Sequence, residues 1–136
     1  MPKRKDLKLD EYNISTYCYR ELYNFCMQHR ERISRLNNCY GVSSPTFSDT
    51  RGGVVTDPTS RAAMVAMQIR QDVEVIRRSA QQTSPLYWKQ LLKAVTEPDV
   101  RFETLRDFEG LRLNEKEFHK LRRRFFYILA KNLNKI

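Results

Sequence analysis

The sequence has few of the residues that build β-rich or membrane-spanning proteins. Its 136 residues include only four glycines and five prolines, which are few for the many tight turns of an all-β domain. No apolar run approaches the roughly 18 residues of a transmembrane helix, and the first residues lack the apolar stretch of a secretion signal. With 40% hydrophobic residues the chain still has enough apolar side chains for one core. We therefore expect a soluble, all-α protein.

Groups for catalysis and metal binding are also scarce. The three cysteines, Cys18, Cys26 and Cys39, form no CxxC pair, and the two histidines have no spacing suited to zinc. The chain contains no GxSxG, HExxH, Walker or GxGxxG motif. We expect reduced thiols in a cytoplasmic protein that has no metal, no cofactor and no enzymatic activity.

Positive charge is concentrated at the two ends of the chain. The formal net charge is +9, of which residues 1–9 contribute +3 and residues 111–136 contribute +6. The 101 residues between them are neutral, with thirteen basic and thirteen acidic side chains. A neutral body with basic ends is typical of proteins that bind the phosphate backbone of nucleic acids. The basic residues of the N-terminal end, expected to contact phosphate, are Lys3, Arg4, Lys5 and Lys8.

The first half of the chain is predicted to be a mobile arm, a long helix and a loop. Residues 1–10 are polar and charged, as in a flexible arm. Apolar groups recur every three or four residues from Glu11 to about Asn38, which predicts one long helix that ends near Asn37, Asn38 and Gly41. Residues 41–56 are rich in Gly, Ser and Thr and are predicted to form a flexible loop.

Four shorter helices follow, so that residues 11–136 form a single domain of about five helices. Asp57-Pro58 and Ser84-Pro85 each combine a capping residue with a proline suited to the first turn of a helix. A two-turn helix is predicted to begin near Asp99, and Gly110 interrupts it. Asn114 with Glu117 has the form of a capping box for the last helix, which ends near Leu133.

Residues 99–133 are predicted to form a helix-turn-helix. A short helix, a turn at Gly110 and a well-capped second helix follow one another in the order of that motif. The second helix, about residues 114–131, has its cationic side chains mainly on one side. With Arg112 from the turn, the predicted DNA-binding residues are Arg112, Lys116, His119, Lys120, Arg123 and Arg124.

This last helix is predicted to lie with its cationic side in a major groove of DNA. The opposite side would be apolar and buried, and its predicted members are Phe118, Leu121, Phe125, Ile128 and Leu129. Truncation of Leu121 should then destabilise the fold far more than a change at Arg122. A solvated surface helix or a protein contact would explain the same charge run, and both alternatives remain open at this point.

The order of these segments resembles the phage late-gene transcriptional regulators of the RinA/ArpU type, whose C-terminal part is a sigma-factor region-4-like helix-turn-helix. The matching segments are Tyr19–Leu22 (YREL), the Gly52-Gly53 pair before residues 57–63 (DPTSRAA), the pair Tyr87-Trp88 and the C-terminal motif. The resemblance implies a sequence-specific DNA-binding regulator of phage or prophage late genes in a bacterial host. It also implies double-stranded DNA, and with it host RNA polymerase, as partners.

Two other functions are compatible with the same sequence. A small terminase subunit for DNA packaging also uses a helix-turn-helix, but it assembles into a ring of identical copies. A sigma-like adaptor that interacts with RNA polymerase would use the Tyr- and Phe-rich first helix to bind a protein. The mass in solution distinguishes a ring-forming homo-oligomer, and retention on DNA distinguishes the adaptor.

Overall fold

The helices of this protein are arranged around a central long helix, in a computed structural model that describes residues 9–42 and 57–136. Side chains are described for these ranges except at residues 10, 39–42 and 57–59. The helices are α1 (Thr16–Met27), α2 (His29–Val42), α3 (Asp57–Thr83), α4 (Trp88–Thr96), α5 (Phe102–Phe108) and α6 (Glu115–Asn132). No β-strand occurs within these ranges. The predicted all-α fold is confirmed, and its count of about five helices holds if α1 and α2 are taken as one bent helix.

The long first helix is broken in two places that its apolar periodicity did not indicate. Asn13 has a positive φ of 57°, and α1 begins only at Thr16, where the Ser15 hydroxyl accepts the Cys18 N–H at 3.1 Å. A second break follows at Gln28, between α1 and α2. α2 passes through Asn37 and Asn38, where the predicted stop begins, and continues to Val42, one residue past Gly41. An asparagine inside a helix costs at most about 0.7 kcal/mol relative to alanine, which is too little to end a helix by itself. The remaining part of the predicted loop, residues 43–56, lies outside the described residues.

Arg32 stabilises the break between α1 and α2. Its Nη1 donates to the carbonyl oxygen of Phe25 at 2.5 Å, in the last turn of α1 where carbonyls lack helical partners. Its guanidinium also lies 4.0 Å from the centre of the Phe25 ring, and its Nε is 3.8 Å from a carboxylate oxygen of Asp72 on α3. Burial lowers the pKa of Arg32, and the Asp72 charge opposes that shift. One buried cation thus joins α1, α2 and α3.

His29, at the start of α2, should make the stability of the fold depend on pH. The side chain is buried and its Nδ1 has no hydrogen-bond partner in the described structure. Burial, followed by the Arg32 charge, lowers the pKa of His29 from 6.5. Below pH 6.5 the unfolded chain therefore takes up the proton more readily than the folded chain, and stability decreases as the pH falls.

Urea unfolding between about pH 7.5 and about pH 5.5 checks this prediction. The midpoint of the wild type should fall more steeply with decreasing pH than that of His29→Gln, which lacks the titrating imidazole. Parallel profiles for the two proteins would show that His29 does not contribute to the pH dependence.

The core lies where α3 meets α4 and α6, with α1 closing one side. Ile76 and Ala80 of α3 are fully buried, and so are Leu91 of α4 and Phe125 and Phe126 of α6. Polar contacts fix the ends of the two longest helices, because the Asn132 amide donates to Ser79 Oγ at 2.9 Å and to Gln82 Oε1 at 3.0 Å. The C-terminal half of α6 is therefore packed against α3.

Residues 9–14, which we call the strap, pack against α6 before α1 begins. Leu9 and Ile14 are buried at its two ends, and the N–H groups of Tyr12 and Ile14 both donate to the Leu9 carbonyl. The Tyr12 ring stacks on Tyr127 of α6 with 4.6 Å between ring centres. Leu9, which was predicted to belong to a mobile arm at residues 1–10, is instead part of the core. Residues 1–8 lie outside the described residues.

Candidate nucleic-acid interface

The segment predicted as a helix-turn-helix consists of α5, a turn at residues 109–114, and α6. α5 begins at Phe102, three residues after the predicted start, and its Phe102 ring lies 5.8 Å from that of Phe118 on α6. Gly110 has the positive φ expected of it, 73°, and the following N–H, of Leu111, donates to the Leu105 carbonyl at 3.1 Å. Leu105 and Leu111 are both buried, which fixes the turn on the core.

Helix α4 holds this turn from the other side. The Gln90 amide donates to the Glu109 carbonyl at 2.9 Å, and the Lys93 ammonium pairs with the Glu109 carboxylate. At the far end of the turn, the Asn114 side chain accepts the Glu117 N–H at 2.8 Å, so that the predicted N-cap of the last helix is confirmed. Side chains on the first turns of α6 are thereby held in a fixed position relative to the core.

The predicted orientation of α6 about its own axis was wrong. Its buried residues are Phe118, Arg122, Phe125, Phe126, Leu129 and Ala130. Leu121 and Ile128, predicted to be buried, are only partly so, whereas Arg122 is 4% exposed. At 100° per residue, the mean direction of the observed buried residues differs from that of the predicted ones by roughly 65° around the helix axis.

Aromatic packing accounts for the rotation. Phe126 makes edge-to-face contacts with Tyr19 of α1 and with Phe125, at ring-centre distances of 5.0 and 5.2 Å. Phe125 and Phe126 are thus both fully buried, whereas the predicted orientation buries only Phe125 of the two. The apolar residues Phe126 and Ala130, four residues apart, were the signal in the sequence that could have indicated the observed buried side of α6. The basic residue Arg122 lies on the same side of the helix and argued against burial of that side, because charged side chains are rarely buried.

The rotation divides the predicted DNA-binding residues into two groups. Four of them, Arg112, Lys116, Lys120 and Arg124, are exposed, and no carboxylate of the described ranges pairs with any of the four. Lys116, Lys120 and Arg124 follow one another at four-residue spacing along α6, and we call these three residues the cationic row. Spacing of this kind places side chains on one side of a helix.

The other two predicted residues have acidic neighbours. His119 is partly buried, with its Nε2 3.5 Å from the Glu115 carboxylate. Arg123 is also partly buried, and its Nε donates to the Glu11 carboxylate of the strap at 3.1 Å. These two residues therefore differ from the cationic row, because an anion would have to compete with a carboxylate already in place.

The predicted phosphate contacts of the arm, Lys3, Arg4, Lys5 and Lys8, lie outside the described residues. The point at which the arm joins the body is described, since Leu9 is buried and Tyr12, three residues on, stacks on α6. The attachment of the basic N-terminal residues therefore lies beside the helix that carries the cationic row. Sequence alone did not indicate that residues 9–14 pack against α6.

Outside this segment, the described residues include one fully buried cysteine and a groove between α2 and α3. Among the side chains that the structure describes, no group of three His, Cys, Asp or Glu is arranged to hold a metal ion. Cys26 is buried, and burial raises the pKa of its thiol although Arg32 and Arg122 oppose the shift, so that the thiol is protonated and inaccessible. A groove of about 290 Å³ between α2 and α3 is bordered by the paired Arg32 and Asp72.

Among the residues that the structure describes, no helix is both long enough and apolar enough to cross a membrane. Comparison of the chain with protein-family models, with curated proteins and with solved structures finds no match.

Proposed function

We propose that this protein binds double-stranded DNA and places the N-terminal half of α6 in the major groove. The observation that carries the proposal is the cationic row, three exposed basic residues on one side of α6 without a carboxylate partner among the described residues. Charge on a solvated helix is usually of alternating sign, whereas nothing acidic follows Glu117 in α6. An uncompensated row of cations supports binding to an anion.

The packing of α6 against the rest of the fold supports this proposal. Its C-terminal half is packed against α3, and its N-terminal half rests on Phe118. Lys116 and Lys120 in the N-terminal half, and Arg124 at the middle of the helix, are exposed. A major groove is about 12 Å wide and admits one α-helix, and recognition helices contact bases mainly through their N-terminal residues. The basic arm joins the body beside α6, within reach of the flanking phosphates in this proposal.

The biological role that we propose is transcriptional regulation of phage or prophage late genes. Support for this finer statement is the resemblance of the segment order to regulators of the RinA/ArpU type, together with the order α5, turn and α6. In such a role the protein acts at a promoter, with host RNA polymerase as a further partner. A ring of identical copies, measured as mass in solution, would instead favour the packaging function of a small terminase.

Removal of two cations from the row tests the proposal. Lys120→Ala with Arg124→Ala should weaken binding to genomic duplex fragments about tenfold or more, because a lost base-edge or phosphate contact costs about 1–3 kcal/mol. The thermal unfolding midpoint should hardly change, since both side chains are exposed. Affinity is measured by electrophoretic shift at several salt concentrations.

A matched control removes the same charge elsewhere. Arg30 of α2 and Arg78 of α3 are exposed and lie outside the proposed interface. Arg30→Ala with Arg78→Ala should bind DNA nearly as tightly as the wild type. Equal losses of DNA affinity in the two double variants would show that only the net charge matters. That result would contradict the placement of α6 in the groove.

A further inference from the structure

The contact between Glu11 and Arg123 brings a carboxylate onto the helix that is proposed to read DNA. Arg123 lies on α6 three residues after Lys120, so it continues the side of the helix that the cationic row occupies. Its side chain is 30% exposed, and its Nε donates to Glu11 Oε1 at 3.1 Å. Arg123 is thus the one arginine of the proposed interface that is held by a carboxylate among the described residues.

This contact uses only one of the donors of the guanidinium group. An arginine side chain has five N–H donors, of which the Nε–H points toward Glu11. No described residue accepts a hydrogen bond from the Nη1 or Nη2 of Arg123. Those two nitrogens form the end of the fork that donates to O6 and N7 of guanine in the most common specific contact of DNA-binding proteins.

Glu11 is itself held in place by the strap. Leu9 and Ile14 are buried on either side of it, and Tyr12, the next residue, stacks on Tyr127, one turn along α6 from Arg123. Two backbone hydrogen bonds to the Leu9 carbonyl, at 3.0 and 3.2 Å, close the strap. The backbone that carries the carboxylate is therefore fixed against α6, and the contact limits the rotamers of Arg123.

We propose that Glu11 is a positioning residue that orients Arg123 to read a guanine, so that the pair gives the DNA site a guanine preference at one base pair. The inference rests on the proposed function and adds the base that this side chain recognises. Glu11 contributes in two ways. It holds the guanidinium in one orientation, and its negative charge repels phosphate, which keeps Arg123 from serving as a non-specific cation.

A selection experiment tests the pair. The full-length protein is incubated with a duplex library that has a randomised core, and the retained duplexes are sequenced. The wild type should enrich guanine at one fixed position. In Glu11→Gln that enrichment should fall about tenfold, the discrimination expected of one lost bidentate contact. Arg123→Ala should lose it as well, because alanine has no side-chain donor for O6 and N7 of guanine.

Glu21→Gln is the matched control. Glu21 pairs with Lys135 at 2.6 Å and is 61% exposed, against 54% for Glu11, so the two substitutions free one cation each and change the net charge equally. Glu21→Gln should retain the guanine preference, and the melting temperatures of the two variants should agree. Affinity for non-specific duplexes should rise more in Glu11→Gln than in Glu21→Gln, because Glu11 pairs with a residue of the proposed interface and Glu21 pairs with Lys135.

Each outcome bears on the inference. An unchanged guanine preference in Glu11→Gln, whether or not its affinity for all duplexes rises, would show that Glu11 only reduces the net charge and would overturn the inference. A guanine preference that survives in Arg123→Ala would overturn it too. If the wild type retains no duplex at moderate salt, the proposed function fails and the inference with it, and this result differs from both others.

Discussion

Replacement of Phe126 by alanine is expected to lower the free energy of unfolding by about 3–5 kcal/mol, the range measured for buried Phe→Ala changes. Phe126 is fully buried and contacts the rings of Tyr19 and Phe125, so its removal leaves a cavity between α1 and α6 and breaks two edge-to-face contacts. A loss of this size is a large part of the stability of an ordinary domain. Urea unfolding at low temperature, followed by circular dichroism, measures it.

Leu121→Ala is the matched control on the same helix. Leu121 is only partly buried, so the change should cost about 1 kcal/mol, well below the range for a buried leucine. The losses of unfolding free energy in Phe126→Ala and Leu121→Ala together show which side of α6 is buried. If Leu121→Ala proved as damaging as Phe126→Ala, the helix would be rotated toward the orientation that the sequence alone predicts, and the division of the cationic residues into two groups would be wrong.

Deletion of residues 2–8 should flatten the salt dependence of DNA binding by about two to four units. This segment contains Lys3, Arg4, Lys5 and Lys8, and each phosphate neutralised on duplex DNA contributes about −0.9 to the slope of log affinity against log salt. Specific and non-specific duplexes should be weakened alike, because phosphate contacts carry no sequence information. The preference between sites should remain, since we assign it to α6.

The deletion has to stop at residue 8. Leu9 is 1% exposed and belongs to the core, so a deletion through Leu9 would weaken the fold as well as the binding. Replacement of the four basic residues by glutamine keeps the length of the arm and should reproduce the change in slope. If the slopes do not change, the arm serves solubility only, and if the site preference disappears, the arm reads a groove and specificity was assigned to the wrong end of the chain.

The features that the sequence predicted correctly are those that depend on near neighbours in the chain. Asn114 caps α6 because its side chain reaches an N–H only three residues away, and Gly110 adopts a positive φ because it lacks a Cβ. The all-α fold follows from helical periodicity within each segment. The concentration of charge at the two ends is likewise a property of the sequence by itself.

Features that depend on distant parts of the chain were decided only by the tertiary structure. The side of α6 that is buried is set by Tyr19, more than a hundred residues earlier, and apolar periodicity within α6 is compatible with both orientations. The strap likewise owes its position to Tyr127, and Glu11 meets Arg123 only because the strap is folded onto α6. Apolar spacing shows that a helix has a buried side, whereas the shapes of the partner side chains select which residues occupy it.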